Sequence, residues 1–127
     1  MAKKKKLLAI VEQGGYPNFK PLYESCGYMV WMEHAMRKAM GVVRKEKPDI
    51  IVAEFNYQSN FRDRTSSLES LLATVERMQQ TDAKNIRVIV FYEKEYQHQL
   101  QKLQAMFKNF VAIAYPIKQD ELKQHLA

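Results

Sequence analysis

Cysteine is almost absent from this chain of 127 residues. Cys26 stands alone, so no intrachain disulfide can form, and a reducing compartment, the cytoplasm, is expected. His34, His98 and His125 show no ligand spacing, and there is no Cys/His cluster. A structural zinc is therefore excluded, and neither a metal nor a cofactor is expected. No Ser/His/Asp or Cys/His arrangement suggests hydrolysis, so the chain does not read as an enzyme. No apolar run approaches the roughly 20 residues needed to span a bilayer. The start has the outline of a signal peptide, Lys3 to Lys6 followed by Leu7 to Val11. Its apolar stretch stops at Glu12, however, and no small-residue cleavage site follows. Repeats, low-complexity segments and interdomain linkers are also missing, and the length suits one domain.

What is present is an ordinary globular composition, 46% hydrophobic and 27% charged. The formal net charge is +6, from 20 basic and 14 acidic residues. Four of the basic residues are Lys3 to Lys6, and without them the balance is 16 to 14. The reading is a flexible Lys-rich tail over residues 1–6 on a nearly neutral folded domain over 7–127. A clustered basic face would argue for nucleic acid; a solvated tail argues for it only weakly.

Four short apolar runs each end in a polar side chain. Leu7 to Val11 precedes Glu12, Ile50 to Ala53 precedes Glu54, Val88 to Phe91 precedes Tyr92, and Val111 to Ala114 precedes Tyr115. Such runs read as strands of a parallel sheet, apolar on both faces, and ligands bind such sheets beyond the carboxyl ends of the strands. Glu12, Glu54, Tyr92 and Tyr115 are therefore expected near one another. A fifth strand, rich in aromatic and branched residues, is expected over Tyr28 to Met32.

Helical patterns fill the intervals. Phe19, Leu22, Tyr23 and Cys26 form one apolar face that Gly27 ends. Met36, Met40 and Val43 stripe a second helix that stops at Lys45-Glu46-Lys47 before Pro48. The Met residues from Met32 to Met40 read as core filler. Ser66 with Glu69 gives a capping-box start to a third helix carrying Leu68, Leu71, Leu72, Val75 and Met78. Tyr96, Leu100, Leu103 and Phe107 mark a fourth, and Leu122 and Leu126 a short last one from about Gln119. The alternation predicts an α/β three-layer sandwich: a five-stranded parallel sheet of order 2-1-3-4-5, with helices on both faces.

The order and spacing of several elements resemble the response-regulator receiver domain of two-component signalling. They are Gly27-Tyr28 leading into a strand, Arg44-Lys45-Glu46-Lys47-Pro48-Asp49 before Ile50 to Ala53, Val88 to Phe91, and Tyr115-Pro116-Ile117 before Asp120-Glu121-Leu122. The resemblance runs through nearly all of the chain after Lys6. It implies a site in which an acidic pair holds Mg²⁺, an Asp accepts a phosphoryl group, a Thr or Ser ends the fourth strand and a Lys ends the fifth. This chain departs at each position. Glu12 and Gln13 stand at the acidic pair, Glu54 at the acceptor, Tyr92 at the Thr and Tyr115 at the Lys. The extra methylene of Glu54 moves its carboxyl by roughly 1 to 1.5 Å, at a site where a displacement of about 1 Å can cost about a hundredfold in rate. Tyr115 removes the cation that a phosphoryl group requires. The expectation is a degenerate receiver without phosphotransfer, in which Tyr92 or Tyr115 donates hydrogen bonds to the carboxyls.

A long connection follows Glu54 and carries Tyr57, Phe61, Arg62 and Arg64, aromatics interleaved with Arg as in protein hot spots or single-strand binders. With no output domain after Ala127, output is expected through contact with a protein partner or a second copy. The candidate contacts are this loop and, by analogy with the resembled family, Tyr96, His98 and Leu100. Two alternatives stand beside this stand-alone signalling or adaptor module. One is nucleic-acid binding through the Lys tail and the Arg loop. The other is a flavodoxin-type small-molecule domain in which the amides of Gly14 and Gly15 approach a phosphate.

Overall fold

Each of the four apolar runs falls on a strand of the computed structural model, Val11 alone lying just beyond its strand; the structure describes residues 5–12, 14–55, 64–81, 85–108 and 110–126. The strands are β1 (Lys5–Ile10), β2 (Tyr28–Glu33), β3 (Ile50–Glu54), β4 (Arg87–Tyr92) and β5 (Phe110–Ala114). Between and after them lie α1 (Lys20–Ser25), α2 (Met36–Glu46), α3 (Arg64–Thr81), α4 (Gln97–Met106) and α5 (Gln119–His125). The sheet is parallel throughout, in the order β2-β1-β3-β4-β5. The sandwich expected from the alternation is the one observed.

Side chains alternate across each strand, and this divides the core in two. Leu8, Ile10, Ile51, Ala53, Val88 and Val90 face α2, α3 and α4. Leu7, Ala9, Ile50, Val52, Ile89 and Phe91 face α1 and α5. The central strands are buried on both faces, as the continuous apolar runs required. The register sets Glu54 opposite Phe91 and Tyr92 opposite Ala114, so the strand ends converge at one edge of the sheet.

Three expectations need correction. Lys5 and Lys6 belong to β1 and not to a tail; the Lys6 amide donates to Asp49 Oδ2 at 2.8 Å and its Nζ to Glu46 Oε1 at 3.1 Å. α3 begins at Arg64, two residues before Ser66, so Ser66 lies inside the helix and not at its start. The expected α2 stripe faces the core: Val43 is fully buried, as is Ala39 beside it, while Met36 and Met40, and Met32 on β2, are half-buried against the core. Leu100 is buried at 1% exposure beneath α4, so it is a core residue and not a contact surface. The stop before Pro48 stands: α2 ends at Glu46, and Lys47 turns to φ 49° while its amide still reaches Val43 O.

Candidate functional site

Glu54 ends β3 on the face turned toward α1 and α5, where it is 2% exposed. Burying a carboxyl without partners costs several kcal/mol, on the order of 2–7 for a neutral polar group alone, so its partners define the site. Two of its partners come from the loop after β1. The Gly14 amide donates to Oε1 at 3.3 Å, and the Tyr16 hydroxyl donates to Oε2 at 2.6 Å. Gly14 and Gly15 have φ of 73° and 84°, a region that side-chain-bearing residues rarely adopt. Their turn folds the loop back over the end of β3 and delivers Tyr16 to Glu54.

The Tyr16 ring then packs into an aromatic cluster. It meets Phe91 edge-on at 5.1 Å between centroids, stacks on Phe19 at 6.0 Å and lies against Tyr115 at 5.9 Å. Tyr115 also meets Phe91 at 6.3 Å, and the Tyr115–Pro116 bond is cis. These separations are those at which aromatic pairs gain beyond their buried area. Burial pushes the Tyr16 phenol far above its ordinary value, and the bond to Glu54 and the Glu54 charge push it further. Burial likewise raises Tyr115, helped by the negative charges of Glu54 and Glu93. Both phenols stay protonated at neutral pH, which leaves Tyr16 a hydrogen-bond donor to the carboxyl.

The strand-end residues are thus only partly brought together. Glu54 and Tyr115 share the cluster around Tyr16. Tyr92 lies on the opposite side of the sheet, half-buried against the core under α2, α3 and α4. Strand alternation requires this once Phe91 faces α1 and α5. Glu12 is exposed at the start of the loop. Gln13, Tyr57, Phe61 and Arg62 lie outside the described residues, as does the side chain of Arg64. Tyr96, just before α4, is half-buried against the core, and His98 on α4 is exposed. The expected donors, Tyr92 or Tyr115, are replaced in the observed bond by Tyr16, which sequence reasoning passed over. Its one signal was an aromatic directly after a diglycine at a strand end.

Glu54 by itself offers little to Mg²⁺: a hard cation wants several oxygen ligands, whereas Oε1 and Oε2 of Glu54 each already accept a hydrogen bond from the chain. No group of three His, Cys, Asp or Glu side chains suited to a metal occurs among the described residues. The Gly14 amide that was expected to approach a phosphate is also directed at Glu54.

With strand order, parallel register and strand-end site in place, solved structures supply the comparison. The chain has the fold of a receiver domain. A response-regulator receiver domain protein from Clostridium thermocellum superimposes with a TM-score of 0.67, at 15% identity, over 96% of this chain and 90% of that one. The chemotaxis protein CheY4 of Vibrio cholerae does so with a TM-score of 0.65, at 16% identity, over 98% and 97%. A third similar structure belongs to a family of redox sensors in the streptococci that evolved from two-component response regulators. It gives a TM-score of 0.63 at 15% identity, over 96% of this chain and 49% of that one. No family model and no curated protein matches the sequence. The receiver fold is therefore shared at a level of identity where the site residues have to be judged from their own geometry. Among the described residues, no helix is long and apolar enough to cross a membrane.

Proposed function

We propose that this chain is a degenerate receiver: a cytoplasmic signalling or adaptor module that acts by contact with a protein partner or a second copy, without phosphotransfer and without an enzymatic reaction of its own. The observation that carries this reading is the 2.6 Å bond from the Tyr16 hydroxyl to Glu54, the residue at the acceptor position. A phosphoryl acceptor needs an exposed oxygen, a nearby cation and room for in-line attack. Glu54 has instead a phenol against one oxygen and an amide against the other. Tyr115, at the position of the family's Lys, adds a ring and no charge. The streptococcal redox sensors, whose ancestry lies in response regulators, support the idea that the scaffold can be kept while its function changes.

The test is incubation with Mg²⁺ and acetyl phosphate or beryllofluoride, followed by intact mass and by amide NMR of the loop after β1. No adduct and no shift at Gly14 or Tyr16 are expected. A stoichiometric adduct on Glu54 would overturn the proposal.

A further inference from the structure

We propose that the solvent face of α2 is a docking surface for double-stranded nucleic acid, held through its phosphates without readout of sequence. Two features of this helix run against local helix chemistry. Arg37 and Lys38 occupy the first turn, where the helix dipole favours acids, and no acid stands there. Gly41 sits in the middle of the helix, where glycine is less stable than alanine. A Cβ at Gly41 would meet nothing within 4 Å, so neither packing nor close approach within the fold requires the glycine. Violations of this kind are expected where function overrides stability.

At 3.6 residues per turn, Arg37, Lys38, Gly41, Arg44 and Lys45 share one face, and all are exposed. Arg44 and Lys45 suit the negative end of the dipole; the first-turn pair does not. Glu46, the one acid of α2, has its Oε1 engaged by Lys6 Nζ at 3.1 Å. The outward face therefore presents cations in two pairs with a glycine between them. Chain-wide bookkeeping concealed this, because the balancing acids lie on other elements.

The spacing suits a duplex. The pairs stand seven residues apart, about 10.5 Å along the axis at 1.5 Å per residue. The major groove of B-DNA is about 12 Å wide, so each pair can reach phosphates on one side of it. Gly41 leaves no side chain to hold the helix off. The exposed face has no aromatic on which a base could stack, which favours a duplex over a single strand. Phosphate contacts position a protein and carry no sequence information. This inference does not depend on how Glu54 is read.

The test is fluorescence anisotropy of a short labelled DNA duplex of mixed sequence, titrated with the full chain over a salt series. Four neutralised phosphates give a log–log salt slope of about −3.6. Arg37→Gln with Lys38→Gln is expected to bring the slope to about −1.8, and Arg44→Gln with Lys45→Gln to do the same. Gly41→Ala is expected to weaken binding several-fold while raising the melting temperature, a combination that a purely structural role does not produce. The proposal is overturned if the duplex is not bound at low salt. It is also overturned if a variant with all four cations replaced, shown to be folded by circular dichroism, binds like wild type. Binding to a labelled polyglutamate peptide with the duplex ignored would reassign the face to an acidic protein partner and equally overturn it.

Discussion

Tyr16 holds Glu54 across 38 residues of sequence, and the bond has a measurable consequence. Tyr16→Phe keeps the ring on Phe19, Phe91 and Tyr115 but removes the 2.6 Å hydrogen bond to a buried carboxyl. The expected loss of stability is about 1–3 kcal/mol, read from the urea midpoint at neutral pH. A change within about 0.5 kcal/mol, the range of an ordinary surface substitution, would show that the bond contributes nothing. The same variant tests the titration. Burial first, then Glu54, raises the folded-state pKa of Tyr16 above its unfolded value. The stabilisation is thus complete below about pH 10, where unfolded tyrosine titrates, and declines above it as the unfolded chain releases a proton that the folded chain retains. Tyr23 and Tyr115, also raised by burial, add to this alkaline decline. Tyr16→Phe is expected to make it shallower, and parallel curves for the two proteins would exclude Tyr16 as a source. Glu54 was legible in the sequence because it ends an apolar run. Tyr16 was not, because it lies in a loop without periodicity and only the Gly14–Gly15 turn brings it to Glu54.

Periodicity revealed each helix but not which of two adjacent stripes lies at the centre of the interface. In α2 the stripe of Met36, Met40 and Val43 marked the correct side of the helix, and Val43 has no exposure, but the stripe left out Ala39, which has none either. In α4 the analogy placed Leu100 beside His98 on a contact surface, although Leu100 and Leu103 both face the sheet. One pair of substitutions separates the core from the surface of this element. Leu100→Ala is expected to cost about 2–5 kcal/mol, since it deletes a fully enclosed side chain. His98→Ala is expected to change stability by less than about 0.5 kcal/mol. Parallel urea titrations check both, and equal costs would mean that α4 is rotated from the orientation described. Element boundaries were legible where a backbone constraint marks them, as at Lys47 before Pro48. They were less so at α3, which begins two residues before the Ser66–Glu69 pattern.

At the scale of the molecule, the two faces of the sheet are unequally covered. α2, α3 and α4 have 11, 18 and 10 residues, whereas α1 and α5 have 6 and 7. Short helices are marginal alone, so α1 and α5, the shortest of the five, depend most on what holds them. α5 is fastened at its end: the Tyr28 hydroxyl donates to Leu126 O at 2.6 Å and Arg87 Nη1 donates to His125 O at 3.2 Å. α1 is held by Leu22 and Tyr23 in the core, and through Phe19 by the Tyr16 ring. Local opening follows such differences in burial and connection. Native-state hydrogen exchange is therefore expected to be slowest in β1, β3 and β4, which are paired on both sides, intermediate in α3, and fastest among the helices in α1 and α5. Because Tyr16 joins the loop after β1 to the end of β3, Tyr16→Phe is expected to accelerate exchange in α1 while leaving α3 unchanged. Exchange in α1 as slow as in β3, or equal acceleration in α1 and α3, would mean that the α1–α5 face and the Glu54 site beneath it open only with the whole domain.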